Sequence, residues 1–197
     1  MTSTMMKSAA LVLSFVAMTI SAPLQANANT DALARLRALN AQISQINEKL
    51  KNGPPLAYLE FCNKNRWECK AGGASSVSYN KKLLDTLYAV NRDVNQRIRY
   101  RAEKGDTWSI NTRVGDCEDY ALTKRSELIR AGVDASALRV AVVKTRQGIA
   151  HAVLVVKTSR GDLVLDNRRS SIRTRQKTGY VYEKMASSNP RVWVSMR

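Results

Sequence analysis

Up to Gly132 the apolar residues of this chain recur every three or four positions; beyond it they come in short runs separated by turn residues. Steps of three and four place side chains along one side of a helix, whereas short β-branched runs between Gly, Ser, Asn and Asp mark strands. Helices first and antiparallel strands afterwards predict an α+β domain. They exclude a doubly wound parallel sheet, in which the two kinds of element alternate.

Leu33, Leu36, Leu39, Ile43, Ile46 and Leu50 define an amphipathic helix over 31–51, ended by Asn52-Gly53-Pro54-Pro55. Its stripe suits a packing arm or a coiled-coil partner, and burial against the core is the expectation. Residues 56–78 read as loop-rich. A second helix is predicted over 80–100, with Leu83, Leu84, Leu87, Val90, Val94 and Ile98 on one side and Lys82, Arg92, Arg97 and Arg99 in solvent. A third starts near Asp116-Cys117, with Asp116 as N-cap, and runs to Arg130 before Gly132. Strands follow at 138–145 and 149–158 around the turn Arg146-Gln147-Gly148, then at 163–167, 180–182 and 192–194. No internal repeat or low-complexity tract appears.

Lys7, the apolar stretch Ser8 to Ile20 and the small-residue site Ala26-Asn27-Ala28 read as a signal peptide over 1–28. Its apolar run is too short for a membrane span, and nothing later approaches one. Residues 29–197 then form a single exported domain, periplasmic or secreted, with 29–55 as an N-terminal helical segment. The net charge of +16 bears on partners more than on fold. Without a zinc finger, an RNA-recognition signature or an aromatic-rich basic stripe, nucleic acid is not the expected partner. An anionic envelope surface or an acidic protein fits better, beside the plain alternative of a generically basic surface.

The chain has three cysteines and one histidine. Cys62 and Cys69 flank a short loop and read as a disulfide, since two thiols with no further Cys or His nearby do not complete a zinc site. Cys117 is the odd thiol. At a helix N-terminus, free N–H groups and the helix dipole favour its thiolate; Asp116, Glu118 and Asp119 act against it. His151, the sole imidazole, is the one available histidine base. It alternates with Val153 and Val155 as Asp166 does with Val164, so one sheet face can hold both polar groups. Each residue also has a structural reading: a strand His in the core, an inert Cys, a turn Asp.

The string Gly115-Asp116-Cys117-Glu118-Asp119-Tyr120-Ala121, the upstream Trp108, the strand His151-Ala152-Val153-Leu154 and the strand Leu165-Asp166-Asn167 resemble the bacterial transglutaminase-like cysteine proteinases, periplasmic relatives of the papain and transglutaminase superfamily. The resemblance is close from Trp108 through Asn167 and looser elsewhere. It implies a papain/transglutaminase-like core and a catalytic set of Cys117 as nucleophile, His151 as base and acid, and Asp166 as its orienter. It also implies a calcium-dependent protease that clips large surface adhesins, with Asp116, Glu118 and Asp119 as calcium ligands and an inner-membrane receptor as regulator. Carboxylates suit calcium, although three acids do not fill its shell of six to eight oxygens; capping and first-turn roles are the alternative for all three. Trp108 lines the acyl site or packs in the core, the latter favoured. The same set would serve a transglutaminase or deamidase, or a peptidoglycan endopeptidase; a catalytically inactive envelope-binding module is the reading from another class.

Overall fold

The computed structural model describes residues 24–103 and 105–196, with 24–29, 50 and 51 described by their backbone alone. Residues 1–23 of the predicted signal peptide lie outside the described residues. Helix α1 covers Leu24–Asn52, and the chain divides within it into a unit ending at Ser44 and a unit Gln45–Arg197. The stripe Leu33, Leu36, Leu39, Ile43 and Ile46 is exposed, against the expectation of core packing. Spacing tells that a helix has an apolar side; it does not tell what that side meets. Among the described residues no helix is long and apolar enough to cross a membrane.

The second unit opens with α2 (Leu56–Lys64) and α3 (Lys81–Arg97). Helix α2 corrects the loop-rich reading of 56–78. Its nine residues are too few for a periodic signal, yet Ala57, Tyr58, Phe61 and Cys62 bury one side of it. Cys62 and Cys69 are joined, with Cα atoms 5.4 Å apart. Helix α3 ends earlier than predicted. Residues Arg99–Tyr100 leave it as strand β1, which pairs in parallel with β2 (Val114–Gly115). Asn80 caps α3 by accepting the Leu83 N–H, and Leu83, Leu87 and Val94 form its buried side.

Helix α4 (Cys117–Arg130) is buried nearly all round. Two of its buried polar side chains are bonded across to other segments. Arg125 donates to the carbonyls of Leu138, Ala135 and Glu68, and Ser126 Oγ donates to Glu68 Oε1 at 2.6 Å. That ties the disulfide loop to the helix and the helix to the sheet.

Six antiparallel strands follow: β3 (Leu138–Lys144), β4 (Ala150–Thr158), β5 (Gly161–Asp166), β6 (Arg169–Thr174), β7 (Val181–Ala186) and β8 (Trp193–Ser195). Their order is β6-β5-β4-β3-β7-β8. The α+β architecture is the predicted one. β6 was not foreseen because Arg169-Ser170-Ser171-Ile172-Arg173-Thr174 lacks apolar alternation; polar, charged residues belong on an edge strand, where they deter further pairing. Leu154, Val156, Leu163 and Leu165 pack with Leu122 and Leu128 of α4, while Val153, Val155 and Val164 form a second cluster with Tyr182 and Met185. Alternation puts these two clusters on opposite faces of the sheet.

Candidate active site

β4 and β5 run antiparallel with Leu154 opposite Leu165 and Val155 opposite Val164. Continuing that register sets Val153 opposite Asp166 and leaves His151 diagonal to it on the same face, within side-chain reach. His151 Nε2 lies 2.9 Å from Asp166 Oδ1, and both side chains are about 5% exposed or less. Asp166 receives two further bonds, from Tyr180 Oη to Oδ2 at 2.6 Å and from the Arg168 N–H to Oδ1 at 3.0 Å. Burial alone would raise its pKa, but the bonds from His151, Tyr180 and the Arg168 N–H outweigh it and hold the carboxyl at about 2. An ionised carboxylate only accepts, so Nε2 is the donor of this bond, and in the neutral ring the lone pair is then on Nδ1. The ring's free nitrogen is the one a base needs.

Cys117 is the first residue of α4 and half-buried. Gly115 permits the entry into that helix: a Cβ there would lie 2.1 Å from Asp119 Oδ2, the oxygen that accepts the Asp116 N–H at 3.3 Å. Cys117 and His151 line a common cavity of about 510 Å³ with Tyr100, Tyr120, Ala150 and Arg168. On the other side they border one of about 400 Å³ with Trp108, Asp116 and Glu118. The sulfur does not bond the ring. Its S–H is donated to Glu118 Oε2 at 3.1 Å. Burial first, then the charge and hydrogen bond of Glu118, push the thiol well above its ordinary range, and only the Ala152 N–H opposes them. Of the two opposed influences read from the sequence, burial and the neighbouring carboxyl groups, Glu118 foremost, outweigh the amides at the start of the helix.

Asp116, Cys117 and Glu118 each offer a ligand atom within 4.8 Å of the others. Asp116 Oδ1 is buried without a hydrogen-bond partner among the described residues. Burial and a bond with Asp116 push Glu118 up to about 8. Such a carboxyl pair must take up a proton or a cation, so the donor set fits a hard divalent ion. Asp119 stands apart: its oxygens accept the N–H groups of Ser109 at 2.8 Å and Asp116 at 3.3 Å. Trp108 packs edge-on against Tyr58 at 5.4 Å and also walls the smaller cavity, so it has both of the places considered for it.

Three neighbours carried no sequence signal. Tyr180 meets Asp166 only through the return of the chain into β7. Asn95 Nδ2 donates to the Asp166 carbonyl at 3.0 Å, one turn of α3 beyond the buried Asn91. Lys124, seven residues after Cys117, is fully buried, and its Nζ has no hydrogen-bond partner among the described residues. Burial lowers its pKa to about 7, and the Asp166 charge only partly opposes the fall. Between about 7 and the unfolded value the unfolded chain holds the proton and the folded one does not, so this group's contribution to stability rises with pH across that window. Lys124→Met should be about 1–4 kcal/mol more stable than the parent at pH 7, an advantage that shrinks by pH 9.5. Urea unfolding of both proteins at the two pH values checks this, and an unchanged gap would refute it.

No curated protein sequence matches the chain. Three solved structures of LapG from Legionella pneumophila resemble it. One has a TM-score of 0.49 at 25% identity, covering 54% of this chain and 64% of that one. The calcium-bound form has a TM-score of 0.53 at 23% identity, covering 58% and 69%, and an EGTA-treated form has 0.46 at 25%, covering 52% and 62%. The chain thus spans just under two thirds of the first of these, and the calcium-bound form carries the shared fold. The family model of the bacterial transglutaminase-like cysteine proteinases matches residues 48–197, which contain every element from α2 to β8, and the protein belongs to that family of cysteine peptidases.

Proposed function

We propose that the protein is an exported protease that cuts a polypeptide of the cell envelope, with a surface adhesin as the substrate class that family membership favours. The observation that carries the reading is the buried His151–Asp166 pair opening, beside Cys117, into one cavity. His151 Nδ1 takes the Cys117 proton as the sulfur attacks the scissile carbonyl carbon. Free N–H groups of the first turn of α4, that of Cys117 included, face the developing oxyanion. The imidazolium returns its proton to the leaving amine, which departs with one half of the substrate and leaves a thioester. Water, losing a proton to the same nitrogen, then adds to the thioester and frees the second half with a new carboxylate. Asp166 holds the ring throughout, and Tyr180 and the Arg168 N–H hold Asp166.

Asp116 and Glu118 would hold a calcium ion, which would supply positive charge beside the sulfur and occupy the carboxylate that otherwise accepts the S–H hydrogen bond. The calcium-bound and EGTA-treated forms of the Legionella protein make calcium the ion to test. The Cys62–Cys69 bridge accords with a periplasmic or secreted location.

Product chemistry tests the reaction. Incubated with an outer-membrane protein fraction, the protein should yield new peptide N-termini by mass spectrometry. Loss of ammonia with cross-linking, or muropeptides released from purified sacculi, would instead establish the transferase or the cell-wall reading.

A further inference from the structure

Next to the cysteine cavity lies another, of about 310 Å³, that no step above uses. Four arginines line it: Arg146 from the β3–β4 turn, Arg168 from the β5–β6 turn, and Arg169 and Arg173 from β6. No carboxylate lines it, and none pairs with these four among the described residues. Like charges gathered in one concavity repel unless an anion joins them, and guanidinium groups bind planar oxyanions such as carboxylates through paired N–H donors.

The backbone is shaped around one of the four. Gly179 has φ +73°, and a Cβ on it would lie 2.6 Å from Arg146 Nε, so the guanidinium rests on bare main chain. Two walls tie this cavity to the catalytic groups. Arg168 lines both cavities. Tyr180 lines the basic one, bonds Asp166 through its hydroxyl, and places its ring 5.5 Å from that of His151. An extended chain advances about 3.3–3.6 Å per residue, so a substrate in the cysteine cavity reaches the arginines within roughly four residues of the cut.

We infer that the arginine-lined cavity is a specificity subsite for a carboxylate side chain, Asp or Glu, of the polypeptide being cleaved. The inference rests on the proteolytic reading above and names the feature by which substrates are chosen. It also gives part of the large positive charge a local purpose.

Two measurements on the full chain test it. Mass spectrometry of a proteome-derived peptide library should show Asp and Glu enriched within about four residues of the cut, and kcat/KM for a cleaved peptide should fall at least about tenfold when that Glu is changed to Gln. Independently of turnover, fluorescence anisotropy should show a labelled Glu-Gly hexapeptide binding at least about tenfold tighter than its Gln-Gly counterpart. R146Q/R173Q should bring both ratios close to one. R66Q/R92Q, which removes the same charge elsewhere, should shift them less than about threefold.

Equal losses in the two double variants would mean a generically basic surface and overturn the subsite. So would equal affinity for the two hexapeptides, or displacement of the Glu peptide by an equal concentration of inorganic phosphate. Library cuts without acidic preference, together with flat anisotropy, would remove the subsite and leave proteolysis standing. An absence of cuts alongside the predicted anisotropy would remove proteolysis and leave an anion-binding site.

Discussion

Cys117→Ala and His151→Ala are each expected to lower kcat/KM about a thousandfold or more, with the double variant little worse than either alone. Members of one proton-transfer unit fail together: without the sulfur there is no thioester, and without the ring nothing removes the S–H proton. The proton is held firmly, since burial and Glu118 raise the thiol's pKa, so solvent is a poor substitute for the imidazole. Cys117→Ala removes a half-buried side chain and one weak hydrogen bond, and its unfolding midpoint should stay near that of the parent. His151→Ala leaves Asp166 short of a donor in the core and should cost about 1–3 kcal/mol of stability, so circular dichroism must confirm that the variant is folded. Parental turnover by either folded variant on the same substrate would end the proposed mechanism.

Chelation is expected to have the next largest effect. In EGTA, turnover should fall at least about a hundredfold, and iodoacetamide should alkylate Cys117 at least about tenfold more slowly at pH 7.5 than in calcium. The direction follows from the contact between Cys117 and Glu118. A cation held by Asp116 and Glu118 competes for the oxygen that accepts the S–H and sets positive charge beside the sulfur, so the thiolate becomes easier to form. One unit of thiol pKa corresponds to about tenfold in the thiolate fraction, which sets the scale for alkylation. Glu118→Gln removes a ligand and should abolish the calcium response. Asp119→Asn, whose carboxylate is already engaged by two backbone N–H groups, should retain that response if the protein folds. Identical alkylation in EGTA and calcium would remove the ion from the account.

How much of this was readable beforehand varies by element. The α4 entry was legible because Gly115, Asp116 and the acids behind it act on their own backbone, over a few residues. The β3–β4–β5 meander was legible because its strands are β-branched and its turns are short. Helix α2 was hidden by its brevity and β6 by its polarity. The Cys62–Cys69 pairing spans a short loop and could be read, whereas the Arg125 bonds that hold that loop against α4 could not.

The strand period also placed His151 and Asp166 on one face, as the 2.9 Å contact shows, but it could not say that the helix carrying Cys117 packs against the other face.

Taken alone, the order of residues determined the α+β class, the single imidazole, the odd thiol and the carboxylates around it, because these depend on periodicity and on which side chains the chain contains. Only the tertiary structure decided that the thiol donates a hydrogen bond to Glu118, that Tyr180 secures Asp166, that Lys124 is buried with no hydrogen-bond partner among the described residues and that four arginines share one cavity. Those outcomes depend on burial and on contacts between segments far apart in the chain, and a group's charge and hydrogen bonds are set by what folding brings against it.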